Sequence, residues 1–139
     1  MVQQCNGEDP VIGYALVGTN DLQKALDFYD RLFDSIGVKR LWDMGDRGAS
    51  WGTSMGQPSL GVCKPYDGNA ATAGNGTMVA LTVDQRAKVD ALHARALELG
   101  GQDEGAPGLR GDPAMNFYGA YFRDLDGNKL CVFKMGPEA

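Results

Sequence analysis

The apolar positions of this chain fall into short runs separated by polar, glycine-bearing breaks, with two longer stretches at helical spacing. Residues 11–17 are an apolar run of strand length. Leu22, Ala25, Leu26, Tyr29, Leu32, Phe33 and Ile36 then recur at steps of three and four, the stripe of an amphipathic helix that Gly37 ends. Asn20 is its expected N-cap, with Gln23 at the capping-box position. Three strand-like pieces follow, over 38–43, 48–53 and 59–64, divided by glycine turns. Residues 65–76 are small, polar and glycine-rich, as a linker should be. The pattern then starts again. A strand over 77–83 leads to a helix that Asp84 can cap, with Val89, Leu92, Ala96 and Leu97 on one face and Gly100-Gly101 at its end. Glycine-broken pieces around 102–110 precede strands over 117–123 and 128–134, and Asp124-Leu125-Asp126-Gly127-Asn128 joins those two as a hairpin.

The halves echo each other in residues as well as in order: Leu60-Gly61-Val62-Cys63-Lys64 parallels Leu130-Cys131-Val132-Phe133-Lys134. The expected architecture is α+β, with a polar leader over 1–9 and two βαβββ modules over 10–64 and 77–135. One helix covers one face of each sheet, which leaves the other face to be covered or to line a cleft. Composition agrees. The chain has 20 glycines in 139 residues, about twice the roughly 7% of average usage, and they fall where turns are needed.

Charge and cysteine content narrow the function. Thirteen Lys+Arg against 18 Asp+Glu give a net charge of −5, which argues against nucleic-acid and anionic-membrane partners and favours a cationic or neutral ligand. No apolar run approaches the length of a membrane span. Cys5, Cys63 and Cys131 match no metal or redox spacing, and an odd count without a secretory segment suits reduced thiols in the cytoplasm. The single histidine, His93, excludes a histidine-rich metal site and reads as a helical residue flanking the core.

Several segments carry a family resemblance. They are Val17-Gly18-Thr19-Asn20-Asp21-Leu22 through Ala25-Leu26-Asp27-Phe28-Tyr29, then Gly74-Asn75-Gly76-Thr77, then Val89-Asp90-Ala91-Leu92-His93, and finally Tyr121-Phe122-Arg123-Asp124-Leu125-Asp126-Gly127-Asn128-Lys129. In this order the chain, from about 10 to 135, resembles the glyoxalase / bleomycin-resistance / extradiol-dioxygenase group, the vicinal oxygen chelate superfamily. Leu125 stands where that family's closing hairpin usually has Pro. The resemblance implies two modules whose mixed sheets form a cup-shaped cleft, frequent homodimers, and in the enzymes a divalent metal. Carried over, the metal-ligand positions are Tyr14, Gly61, Met78 and Cys131, none of them His, Asp, Glu, Asn or Gln. The resemblance therefore supplies the fold while the residues withhold the metal, and no cofactor is expected.

Strand alternation then selects Tyr14, Met78, Phe117, Tyr121 and Cys131 as cleft candidates, an apolar, aromatic and soft set. The expectation is metal-free binding of a small, largely apolar or aromatic molecule by a cytoplasmic homodimer. Two alternatives stay open: a metal-dependent lyase, isomerase or dioxygenase with a displaced ligand set, and a structural or regulatory descendant with a filled cleft. Catalytic residues stay unassigned, as does the face of Trp42 and Trp51. Asp43, Asp46, Asp103 and Glu104 read as solvated turn residues.

Overall fold

The computed structural model describes residues 10–138, so the leader over 1–9 and Cys5 lie outside the described residues. In the first half, strand β1 (Tyr14–Gly18) leads to helix α1 (Leu22–Asp34) and then to β2 (Lys39–Asp43), β3 (Gly48–Gly52) and β4 (Ser59–Cys63). The second half repeats the order with β5 (Val79–Thr82), α2 (Arg86–Glu98), β6 (Gln102–Arg110), β7 (Phe117–Arg123) and β8 (Lys129–Met135). Each half builds one four-stranded sheet, ordered β1-β4-β3-β2 and β5-β8-β7-β6, with its first and last strands parallel. The two echoed pentapeptides fall on β4 and β8, the equivalent strands of the two sheets. Two tandem modules of an α+β fold are what the sequence pattern predicts.

Helix α1 buries the stripe that its spacing predicts: Ala25, Leu26, Phe28, Tyr29, Leu32 and Phe33. Its N-cap is Asp21, one residue past the expected Asn20, and the Asp21 carboxylate accepts from Lys24 N at 3.2 Å. Asn20 is occupied elsewhere. Its side chain donates to Ala71 O at 3.1 Å and accepts from Ala71 N at 2.7 Å, pinning the 65–76 segment to the entry of α1. Asp84 likewise does not cap α2. Gln85 holds that position without a side-chain hydrogen bond, while Asp84 pairs with Lys88 Nζ at 2.8 Å. The pieces around 102–110 are one nine-residue strand, β6, whose irregular register against β7 accommodates the glycines.

The helix-facing sides of both sheets share one hydrophobic core. Trp51 stacks on Phe33 at 5.9 Å between centroids, and Phe122, Leu130 and Val132 pack in the same cluster as Leu92 of α2. Trp51 Nε1 donates to Asp30 Oδ1 at 3.0 Å, and Arg40 grips the same carboxylate through two bonds of 2.9 Å. Burial alone would raise the Asp30 pKa, but these hydrogen bonds outweigh it and hold the carboxyl below its usual range.

A polar cluster at the hairpin between β7 and β8 joins the halves. Tyr29 on α1 donates its hydroxyl to Asp124 Oδ2 at 2.5 Å. The other oxygen of Asp124 accepts from the backbone of Asp126 and Asn128, at 3.0 and 2.8 Å. Asn128 donates from its amide nitrogen to both Asp124 Oδ2 and Gly18 O, each at 2.9 Å. Gly127, at φ +87°, supplies the left-handed residue that lets the turn close around this carboxylate.

Two stability effects follow. Tyr29→Phe leaves Asp124 without its hydroxyl donor and should cost about 2 kcal/mol in urea denaturation. Asp124→Ala should cost more, because it orphans Tyr29 together with the turn amides; equal stability of both variants and the parent would contradict this account. For Asp30 the depressed pKa means that its contribution is present above the unfolded carboxylate pKa and is lost as pH falls through the folded value. Asp30→Asn should therefore be less stable than the parent at neutral pH, by about 1 kcal/mol given its partial exposure. That gap should narrow as the solution is acidified through the carboxylate range, read from denaturation midpoints at each pH.

Candidate functional site

Pairing register fixes which side chains share the sheet faces turned away from the helices. In the second sheet Tyr121 pairs with Cys131, Ala80 also pairs with Cys131, and Phe117 pairs with Met135. Phe117, Tyr121 and Cys131 therefore stand on one face, as the alternation predicts. Phe117 stacks on Phe133 at 5.0 Å with 9° between the planes, adding a second phenylalanine to that face. Met78 immediately precedes β5, and its side chain is 43% exposed. Tyr14 belongs to the other sheet and is 68% exposed on β1, beside Leu16 at 50%. No hydrogen bond or ring contact among the described residues joins Tyr14 to the other four.

The tryptophans separate cleanly. Trp51 is buried in the core, while Trp42 pairs with Ser50 and is 53% exposed on the face away from α1. A register shift between Arg40 and Trp42 on β2 breaks simple alternation at Trp42, whereas Trp51 lies in the regular pairing of β3 with β4.

Cys131 is buried with 1% of its surface exposed. Burial pushes its thiol up from the ordinary value, and the Tyr121 hydroxyl, Arg110 and Lys129, which pull it down, do not offset that. Tyr121 is raised as well, first by burial and then by Cys131, so it is a hydroxyl donor at neutral pH. Among the described residues, Tyr121, Arg110 and Lys129 are the groups that act on the thiol, and none of them is an imidazole or a carboxylate. His93, the only imidazole, is buried in α2 on the helix side and sits 3.0 Å from Asp103 Oδ1. That pair also corrects the reading of Asp103 as a merely solvated turn residue. Similarly, Glu104 is held by Arg123 at 3.2 Å and Asp43 by Arg40 at 3.0 Å.

The residues at the four carried-over metal positions do not fit a divalent ion. Gly61 brings no donor, and a Cβ there would meet Leu16 Cδ2 at 2.7 Å. Met78 offers a thioether, Tyr14 an exposed phenol, and Cys131 a thiol that burial keeps protonated. Among the described residues no three His, Cys, Asp or Glu side chains converge.

Sequence reasoning missed two neighbours of Tyr121. Arg110 Cζ lies 5.5 Å and Lys129 Nζ 5.7 Å from the centre of its ring. Lys129 was legible as lying two residues from Cys131 on the same strand, whereas Arg110 was hidden in a segment whose glycines read as breaks.

A sequence profile described as the Glyoxalase/Bleomycin resistance protein/Dioxygenase superfamily matches residues 11–132. The chain belongs to this superfamily. A glyoxalase/bleomycin resistance protein from Albidiferax ferrireducens T118 is 30% identical, with a TM-score of 0.78 over 92% of this chain and 100% of that one. A superfamily enzyme from Burkholderia phytofirmans PsJN (19% identity, TM-score 0.68, covering 89% and 98%) shares the fold. So does a lactoylglutathione lyase from Agrobacterium tumefaciens, at 20% identity and TM-score 0.63, covering 91% and 95%. No curated protein matches significantly. Among the described residues of this superfamily member no helix is long and apolar enough to cross a membrane.

Exposure separates the two described thiols of this glyoxalase-superfamily chain. In a Cys5→Ser background, a disulfide-exchange reagent near neutral pH should modify half-buried Cys63 in the native protein and reach Cys131 only on unfolding. Rapid native modification of Cys131, located by peptide mass, would refute its description as an inert buried thiol.

Proposed function

We propose that this superfamily member binds a small planar, largely apolar molecule without a metal, and that the bound molecule rests on the second sheet's open face. The observation that carries the reading is the register of Phe117, Tyr121 and Cys131 on one face, with Phe133 stacked alongside. Aromatic rings recognise flat organic surface and offer little to a chelating polar substrate, while Cys131 lies buried beneath them. The absence of suitable donors at Tyr14, Gly61, Met78 and Cys131 supports a metal-free site on chemical grounds.

Assembly as a homodimer belongs to the same proposal. Tyr14, Leu16 and Trp42 leave large apolar side chains open on the first sheet, and a second copy of the chain is the occupant whose own open face matches them in character.

The reading is tested on protein purified without chelator. Metal analysis should find no stoichiometric divalent ion. A thermal-shift screen of aromatic metabolites and antibiotics should find ligands that raise the melting temperature by several degrees at about 100 times Kd, where linkage supplies about 2.7 kcal/mol. Stoichiometric metal, or a screen in which nothing stabilises the protein, would overturn it.

A further inference from the structure

The overall charge of −5 hides a local reversal on the second sheet. Arg110 and Lys129 both place their charge within 6 Å of the Tyr121 ring centre, at 5.5 and 5.7 Å. Neither has a carboxylate within 4 Å among the described residues, although acids outnumber bases in the chain. The third cation nearby, Arg123, takes Glu104 at 3.2 Å and Gly127 O at 2.9 Å, while Asp103 is held by His93 and Asp112 accepts from Ala114 N. Two positive charges are left over.

The backbone is shaped to hold one of them in place. On β6, a Cβ at Gly105 would meet Arg110 Nη2 at 3.2 Å, and one at Gly108 would meet Nη1 at 3.1 Å. The guanidinium thus lies down across two glycines, its Nη2 donating to Ala106 O at 2.5 Å. A guanidinium carries five N–H donors in a planar fork. The backbone carbonyls of Ala106 and Leu109 engage only Nη2 and, at 3.5 Å, Nη1. The Lys129 ammonium makes no hydrogen bond among the described residues, so it is equally available.

We propose that Arg110 and Lys129, held against Tyr121 beside Cys131, form the anion-recognising end of this face, and that its ligand is an aromatic carboxylate. The ring system of such a molecule lies along Phe117 and Phe133 while its carboxylate reaches the guanidinium fork and the ammonium. Net protein charge does not oppose this. Distant surface acids are screened beyond a Debye length of about 8 Å at physiological salt, whereas two half-buried cations at contact distance are not. The inference rests on the reading of this face as a small-molecule site and adds the sign of the ligand's charge.

The test uses matched series of one- to three-ring aromatic carboxylates, their primary amides and the corresponding aminomethyl compounds, with affinities measured by calorimetry on the full chain. The carboxylate should bind at least ten-fold tighter than its amide, and the aminomethyl compound weakest. Arg110→Gln and Lys129→Gln should each reduce that preference, and the double variant should abolish it while leaving amide binding within about two-fold. Gly108→Ala, whose Cβ would meet Arg110 Nη1 at 3.1 Å and make the guanidinium give way slightly without removing it, should weaken carboxylate binding alone. Unchanged melting temperatures confirm that the variants remain folded. Equal affinity for carboxylate and amide, or a carboxylate preference that survives the double variant, overturns the anion proposal and leaves the small-molecule reading standing. Failure of all three series to bind overturns both.

Discussion

The hydrogen bond from Tyr29 to Asp124 is the constraint on which the arrangement of the two halves depends. It links a buried hydroxyl of the first module's helix to a buried carboxylate in the second module's hairpin, 95 residues away in sequence. A buried carboxylate is costly unless its lone pairs are filled. Here Tyr29, the turn amides and the Asn128 side chain fill them. Asn128 then continues to Gly18 O, and Asp126 accepts from Asn20 N at 2.9 Å, so the same hairpin also grips the end of β1. The Phe-Tyr pair and the closing hairpin, two separate carriers of the family resemblance, are physically one network.

That network ties together the helix-facing sides of the sheets and leaves their other faces free. The core takes Trp51, Tyr29, Phe28 and Phe122, which are nearly all the large aromatic side chains that are fully buried. What remains for the open faces is a different set: Tyr14, Leu16 and Trp42 on the first sheet, and Phe117, Tyr121 and Phe133 on the second. Division of labour between the faces follows from strand alternation once the helices have chosen a side. The open faces therefore carry no part of the helix packing, which is completed behind them.

How much of this was legible in the sequence depends on how local each determinant is. The α1 stripe and the β7–β8 hairpin were readable because spacing and an Asp-Gly turn are local signals, and the turn fixes the register that sets Tyr121 against Cys131. The α1 cap lies one residue from the expected Asn20 because both Asn20 and Asp21 are competent. Ala71, 51 residues away, claims Asn20 and decides between them. Strand β6 was unreadable for a related reason. Its glycines weaken the strand signal locally, and the strand exists because β7 pairs with it along its length. With β6 misread as broken pieces, Arg110 had no face and so could not be counted among the site residues. Tyr14 lies on the first-module strand, as its position in the sequence implies, and alternation alone carries no information on how the two sheets' open faces stand to each other.

Under the proposal, a pair of side-chain cations stands where the superfamily resemblance implies a metal, and that would change what this face is able to do. A bound divalent ion supplies positive charge together with open coordination positions, so it can polarise a carbonyl or acidify a bound water. A guanidinium and an ammonium supply the charge and the hydrogen-bond donors without those coordination positions. They can hold and orient an anion, but they do not generate a nucleophile from water. Cys131 does not fill the gap, since burial keeps it a thiol and the one imidazole lies across the sheet with Asp103. Tyr121 adds a neutral donor and a ring surface. On the proposed reading, Phe117, Phe133 and Tyr121 would supply the surface that holds a flat molecule, and Arg110 and Lys129 the charge that orients its anionic end.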